Sequence, residues 1–433
     1  TSLDDLSAIT SIYRPGPLGA KVDRMYVKTK KDKDNVKYLH PLIEEETRDT
    51  LGFVLYQEQI ATITHKIGKN ITLDEGNIIR KLLTKRGTGK EKQLKKFHDR
   101  FIQGALEKKI DKTTAQEIWQ TLENFAKYGF NKAHSTSYAA ISYQCAWLYT
   151  YYPSEWMAAF LDKEPEARKE KAINIAKSFG FNIRGLDVNL SGTEWEIDSD
   201  DSKTLIQPLN SIKGLGDKAI EQILSNRPFK TVEDLIFNEE IVYSKLNKKA
   251  LNVLTLSGAL DCIKDERFKG MKHFWSSVVV DRPKNKKKLD ENIQAYEEEA
   301  EFSIDEKIAN LSDLTGIFPL DLVINDTLHQ RFRDRAIPPL GDEDNRFTYQ
   351  VNDGYITWCI PREVIKKKTR NKKDFWIVRV TDETCVDSKI KCWGVNSDKD
   401  SLYLNRPYIV KLNFSDQWGF STKRGTSNWK LMG

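Results

Sequence analysis

Cysteine and histidine are scarce in this chain of 433 residues, at five and six respectively. The cysteines are Cys145, Cys262, Cys359, Cys385 and Cys392, odd in number and far apart, and none forms C-x-x-C. That pattern excludes a disulfide framework and fits a reduced intracellular protein. The histidines form neither H-x-x-H nor H-E-x-x-H, so no zinc site built from protein ligands is visible. No apolar run approaches the roughly 18–20 residues that a membrane span needs. The opening Thr1-Ser2-Leu3-Asp4-Asp5 is acidic and lacks the basic-then-apolar order of a secretion signal. A cytoplasmic protein with no membrane partner is therefore expected. No repeat of 20–50 residues runs through the chain.

What is present is charge. Lysine and arginine total 69 against 63 aspartate and glutamate, a net charge of +6, with 39% hydrophobic residues. This is a globular composition that can build several cores, and the length suggests two to four domains. The charge is unevenly laid out. Residues 80–100, RKLLTKRGTGKEKQLKKFHDR, hold nine cations and two acids, a local +7 that exceeds the balance of the whole chain. Such a cluster is either a polyanion site or a solvated basic helix face. Near 282–301, RPKNKKK precedes YEEEAE, which reads as a linker or an exposed helix between domains.

Periodicity divides the rest. Tyr13-Arg14-Pro15-Gly16-Pro17 reads as a fixed loop, because two prolines around a glycine break helices. Residues 41–160 look helical almost throughout. Thr113 or Thr114 is the expected cap of a helix through Tyr128, with Glu117 closing a capping box and Gly129 as the stop. A further helix is expected from Ser135 to Tyr152. Its Tyr138, Ile141, Cys145, Leu148 and Tyr152 repeat at helical spacing and read as a buried stripe. Residues 208–262 break into short helices with glycine turns. Residues 345–420 alternate as strands, notably Phe375–Val380 and Lys389–Trp393.

Three motifs carry chemistry. In Ile212-Lys213-Gly214-Leu215-Gly216-Asp217-Lys218, a glycine turn between short helices lets backbone approach a phosphate. Lys213 and Lys218 add charge, so the segment reads as a helix-hairpin-helix that grips nucleic-acid backbone without reading sequence. A weaker second hairpin is Leu246–Leu254 followed by Leu256-Ser257-Gly258-Ala259-Leu260. In the β region, Lys389, Lys391 and Trp393 share one strand face, with Ile390 and Cys392 on the other. A basic face with an aromatic suits single-strand stacking in an OB-fold, although the commoner place for Trp376 or Trp393 taken alone is the core. In Tyr128-Gly129-Phe130-Asn131-Lys132-Ala133-His134-Ser135, Asn131, Lys132 and His134 crowd a helix N-terminus, where N–H groups favour an anion. Together with residues 80–86 they could hold a triphosphate.

Taken in order, these motifs resemble the bacterial replicative DNA polymerase III alpha subunit, family C. The resemblance rests on Tyr13-Arg-Pro-Gly-Pro, Tyr56-Gln-Glu-Gln59, Arg80-Lys81 with Lys85-Arg86, Tyr128 to Ser135, Ser142-Tyr-Gln144 with Tyr152-Pro153, and Ile212 to Gly216. It covers residues 1–262 and returns more loosely at 310–325 and 350–420. It implies mainly helical fingers at 1–165, the end of the fingers and a tandem helix-hairpin-helix region at 166–265, a connection at 266–345, and a β-barrel OB-fold at 346–433.

The same resemblance implies roles. Arg80 and Lys81 match the basic pair facing the triphosphate, Lys85 and Arg86 the next two cations, and Asn131, Lys132 and His134, with Tyr138 one turn on, the lining of the nucleotide pocket. Arg14, Lys213, Gly214, Gly216, Lys218, Lys389, Lys391 and Trp393 are the expected DNA contacts. The family commonly has two arginines where this chain has Arg80-Lys81, which weakens bidentate phosphate contact at 81. A sliding clamp is a further partner the resemblance allows, but a glutamine followed by an apolar pair is not evident near Gln294. The family's catalytic carboxylates precede the Tyr-Arg-Pro-Gly-Pro segment, and Asp4 and Asp5 stand in the wrong context for that role. The expectation is a split replicative polymerase. This chain binds the deoxynucleoside triphosphate and primer-template DNA, and a separate palm-bearing chain holds Mg2+ and supplies the catalytic aspartates. On that view this chain is inactive alone. The alternative is a non-catalytic DNA-binding accessory protein derived from the polymerase.

Overall fold

The computed structural model describes residues 2–84, 89–126, 129–298, 300–342, 347, 350–351, 354–396, 398–415, 417 and 419–432. Two compact units divide it, residues 1–151 and 152–433.

The first unit is helical: α1 (Leu3–Ile12), α2 (Pro15–Gly19), α3 (Val22–Lys31), α4 (Pro41–Thr47), α5 (Gln57–Ile67), α6 (Leu73–Thr84), α7 (Glu91–Glu107), α8 (Lys112–Ala126) and α9 (Lys132–Tyr151). The main core lies between α5 and α8, where Ile60, Ile63, Ile79, Phe101, Ile118 and Leu122 are buried. Gly76 lets α6 lie against α5, since a Cβ there would stand 2.5 Å from the Ala61 carbonyl oxygen. Local signals set the helix starts. Ser2 and Asp5 form a reciprocal capping box on α1.

Three expectations are corrected here. Pro15-Gly16-Pro17 forms the first turn of α2 and is not a loop. The first N–H groups of a helix have no intrahelical partner, so proline gives up nothing there. The start of α8 is held by Asp111, whose carboxylate accepts from the Thr114 N–H at 2.9 Å, and not by Thr113 or Thr114. Tyr128, the expected end of that helix, lies outside the described residues. The stripe on α9 is not buried: Tyr138 and Ile141 are each 54% exposed, and Leu148 and Tyr152 are exposed as well. Periodicity marks a face that needs cover and does not say what covers it.

The second unit opens with α10 (Pro153–Lys163) and α11 (Lys169–Ser178), then a small sheet of β1 (Asn182–Arg184), β2 (Glu196–Ile197) and β3 (Thr204–Ile206). Helices α12 (Asp217–Asn226), α13 (Val232–Ile236) and α14 (Lys248–Leu256) follow. The next stretch holds α15 (Met271–Phe274), which runs on into a π turn to Val280, then α16 (Lys286–Ala295), α17 (Ile304–Thr315) and α18 (Asp326–Asp334). This connecting stretch is packed at both ends. Phe274, Val278 and Leu289 enter the core around α12 and α14. Ile308, Leu328 and Phe332 share a core with Trp358 and Ile360 of the barrel, and the Phe332 ring stacks on Trp358 at 4.8 Å.

The barrel comprises β4 (Gln350–Val351), β5 (Gly354–Lys368), β6 (Asp374–Thr381), β7 (Ser388–Trp393), β8 (Tyr408–Ser415), β9 (Gly419–Thr422) and β10 (Trp429–Leu431). A β5–β8 pairing closes the ring β5-β6-β7-β9-β8. Within the ring β7 and β9 run parallel, and the other neighbours are antiparallel. A closed five-stranded barrel of this kind is an OB-fold. Alternation fills it, with Trp376, Val378, Val380, Ile390 and Cys392 all pointing inward.

Candidate nucleotide and nucleic-acid sites

In the first unit the N-termini of α5 and α9 meet. The Phe130 carbonyl accepts from the Gln57 N–H at 2.8 Å, and the Gln57 side-chain amide donates to the Gly129 carbonyl at 3.0 Å. The same glutamine accepts a hydrogen bond from the Arg80 guanidinium on α6. Glu58, next in sequence, accepts from the Asn131 side chain at 2.8 Å and from the Lys132 N–H at 3.0 Å. Asn131 in turn caps α9 by accepting from the His134 N–H at 2.8 Å. The anion-favouring end of α9 is thus already served by the Glu58 carboxylate.

Around this junction stand the expected residues. The Lys132 ammonium lies 3.8 Å from Asp49 and 5.6 Å from the centre of the Tyr56 ring. The His134 ring sits between Phe130 and Tyr138, at 5.5 and 4.6 Å. The Arg14 guanidinium covers Phe130 at 4.4 Å, and burial lowers its pKa. The structure therefore draws Arg80, Asn131, Lys132, His134, Tyr138 and Arg14 toward one surface. Lys81 is exposed on α6. Lys85 and Arg86 lie outside the described residues.

Behind the junction α1 is fastened to α9 by hydroxyls. Ser135 is fully buried, donates to the Ser7 carbonyl at 2.5 Å and lies 3.0 Å from the Ser11 hydroxyl. The Tyr56 hydroxyl donates to Ser7 Oγ at 2.9 Å, and burial raises the pKa of that phenol. Among the described residues no group of three or more His, Cys, Asp or Glu could hold a metal ion. Nearby, Glu58 is committed to the helix cap and Asp49 to Lys132. These residues do not fit a two-metal centre.

In the second unit the hairpin turn precedes α12. Gly214 has φ +87°, a value that side chains other than glycine's rarely allow, and Gly216 is the N-cap of α12. Lys213 and Lys218 are exposed on either side of the turn. The Lys213 N–H donates to the Leu314 carbonyl at 2.8 Å, which anchors the turn to α17. A Cβ on Gly214 would lie 3.6 Å from Lys249 Cε of α14, so a third lysine borders the turn. The second hairpin differs from expectation. After α14 the chain makes turns through residues 257–262 and starts no second helix, and Ala259 and Leu260 are buried.

On the barrel, β6 and β7 pair Phe375 with Trp393, Ile377 with Lys391 and Arg379 with Lys389. All six point away from the buried set. Phe375 and Trp393 stack at 4.7 Å with 23° between planes. Trp376, by contrast, is a core residue with 3% exposure. Arg379 is engaged by Asp387 at 2.8 Å and Glu363 at 3.2 Å. Lys367 of β5 pairs with Phe375 and extends the row. It opens the β5–β6 turn region, where residues 366–373 read KKKTRNKK with six cations and no acid. Sequence reasoning quoted Gln57 and Glu58 within a motif and Phe375 within a strand without giving them a role, and passed over this turn. The charge run was visible in the sequence. The glutamine and glutamate contacts span 23 to 74 residues and leave no local trace.

Residues 1–109 match the model of the bacterial DNA polymerase III alpha subunit finger domain, and residues 180–270 match a helix-hairpin-helix motif. The DNA polymerase III subunit alpha of Borreliella burgdorferi is 33% identical over 300 residues, covering 67% of this chain and 25% of that protein. That of Aquifex aeolicus is 34% identical over 271 residues, with 61% and 23% covered. That of Pseudomonas aeruginosa is 30% identical over 307 residues, with 69% and 26% covered. Polymerase-type fingers, a helix-hairpin-helix and an OB-type barrel define a polymerase-related chain with DNA-binding modules. More particularly, the chain is a C-terminal region derived from the DNA polymerase III alpha subunit. It spans about a quarter of the length of the curated relatives it matches.

Proposed function

We propose that this chain is the C-terminal subunit of a split replicative DNA polymerase. It binds the incoming deoxynucleoside triphosphate and the primer-template, and a separate palm-bearing chain supplies the catalytic aspartates and holds the Mg2+ that phosphoryl transfer requires. The observation that carries this reading is the gathering of Arg80, Asn131, Lys132, His134 and Tyr138 around Gln57 and Glu58, in a unit whose first 109 residues match polymerase fingers. With Glu58 serving the α9 N-terminus, the phosphates fall to the side-chain cations, Arg80 and Lys132 with Lys81, Lys85 and Arg86 from the neighbouring segment. Their work is charge neutralisation and positioning.

The DNA contacts divide by chemistry. Lys213, Lys218, Gly214 and Gly216 grip the duplex backbone through charge and N–H groups. Trp393 with Phe375 offers a stacking surface for single-stranded template, flanked by Lys389 and Lys391, and the lysine-rich β5–β6 turn meets its phosphates.

A second reading, a DNA-binding accessory without polymerisation, draws on the fact that Glu58 and Gln57 already engage the α9 N-terminus and Arg80. Equilibrium titration of a fluorescent deoxynucleoside triphosphate into the chain bound to primed DNA separates the two. Saturable nucleotide binding is expected of the polymerase subunit. DNA binding with no nucleotide binding would select the accessory.

A further inference from the structure

The basic stretch at 282–288, RPKNKKK, has no role in the reading above. Along the chain its natural counterpart is the acidic run at 296–301, YEEEAE. The fold spends those acids elsewhere. Glu297 holds Lys269 at 2.9 Å, and Glu301 holds Lys307 at 3.6 Å. Lys288 is answered by Asp281 at 3.3 Å. Lys284, Lys286 and Lys287 are exposed, and none makes an ion pair with a described residue. Helix stability does not account for them. Lys286 and Lys287 open α16, as Lys248 and Lys249 open α14, and neither first turn holds an acid. The macrodipole disfavours cations at that end of a helix.

Specific contacts bring these lysines to the hairpin. The Arg282 guanidinium lies 3.9 Å from the centre of the Tyr243 ring and donates to the Leu246 carbonyl at 2.8 Å. The Lys248 ammonium donates to the Val280 carbonyl at 2.6 Å. Segment 280–288 is thereby fastened to the start of α14. From there Lys249 reaches the glycine turn, with Cε 3.6 Å from where a Cβ on Gly214 would stand. One connected surface results, with Lys213, Lys218, Lys249, Lys284, Lys286 and Lys287 exposed on it. A spread of unanswered cations, continuous with a turn that grips nucleic-acid backbone, suits a ligand carrying many phosphates. The surface offers charge, whereas the barrel offers the stacked Phe375 and Trp393, so a duplex fits here better than an unpaired strand.

We propose that the duplex held by the hairpin turn continues across the start of α14 and onto residues 284–287, where Lys249, Lys284, Lys286 and Lys287 bind its phosphates. This rests on the assignment of the hairpin to duplex backbone. The stretch that reads in sequence as a linker is then the outer part of the duplex site.

The test titrates the full chain into a fluorescent primer-template duplex and into a single-stranded oligonucleotide over a range of salt concentrations. The triple variant Lys284→Gln, Lys286→Gln and Lys287→Gln loses three phosphate contacts. Its duplex slope of log K against log salt should shrink by about 2.7, at roughly 0.9 for each contact. Its duplex affinity near physiological salt should fall about tenfold or more, while single-strand affinity stays within about twofold. The single variant Lys249→Gln should shrink the slope by about 0.9. Far-UV circular dichroism of both variants should match the wild type, because the replaced side chains are exposed. Equal losses on duplex and single strand would overturn the inference, since lowered net charge alone does that. Unchanged duplex binding by both variants, with Lys218→Ala weakened, would overturn it and leave the hairpin reading standing. Duplex binding that none of the three variants alters would overturn both. Unchanged duplex binding with lost binding of polyglutamate would also overturn it, and would give the surface to an acidic protein.

Discussion

At the scale of residues, the proposed pocket depends on side chains that already have protein partners. Arg80 is held by Gln57, and Gln57 is held by the backbone at 129–130. On the proposed reading, the guanidinium is therefore oriented before a phosphate arrives. A charge-assisted hydrogen bond is worth roughly 1.5–3 kcal/mol, so Arg80→Ala should lower kcat/KM for the nucleotide about 10- to 100-fold in the reconstituted enzyme. Unaltered steady-state kinetics would refute the pocket assignment. Ser135 makes a different kind of contribution. It joins α9 to α1 through two short contacts in a fully buried setting. Ser135→Ala should cost about 1–2 kcal/mol, seen as a melting point lower by several degrees. The roles of Arg80, Asn131, Lys132 and His134 were suggested by motif order. The Gln57 and Glu58 links were not legible, because such contacts form only when distant segments are brought together.

At the scale of elements, strand alternation was the most legible signal. A period of two put Lys389, Lys391 and Trp393 on one face, and the barrel has them there. It also separates the two tryptophans that composition alone leaves equal. Trp393→Ala should weaken single-stranded DNA binding by about 1–3 kcal/mol while the barrel stays folded. Trp376→Ala removes a core side chain and should cost about 3–5 kcal/mol of stability, measured by denaturant titration. Helical periodicity was less informative, since the α9 stripe has the right spacing and no cover within its unit. The turn after α14 adds a pH dependence. Burial pushes the Asp261 carboxyl up to about 6, with Lys307 pulling it down and Glu301 adding to the rise. The folded state then holds this proton more tightly than the unfolded chain, whose aspartate has the ordinary value of about 3.9. Stability from this group is full below about pH 4 and falls as pH rises through about 6. Asp261→Asn should therefore raise the melting point at pH 7.5 and leave it nearly unchanged at pH 4.

At the scale of the whole molecule, the order of modules was readable from motifs, because the glycine turn, the helix caps and the strand alternation each have a local cause. The connection between hairpin and barrel was not. Its charge runs suggest a linker or an exposed helix; residues 286–295 do form a helix with few buried residues, yet Leu289 is fully buried and α17 and α18 share the barrel's core. Sparse apolar residues placed at the right turns were enough to fold it. The central claim is division of labour, with nucleotide and DNA binding in this chain and metal-bearing carboxylates in another. Primer extension tests it most directly, using this chain, the palm-bearing chain and their mixture on primed DNA with Mg2+ and all four deoxynucleoside triphosphates. The account predicts extension by the mixture and none by this chain alone. Robust synthesis by this chain alone, or none by the mixture, would contradict it.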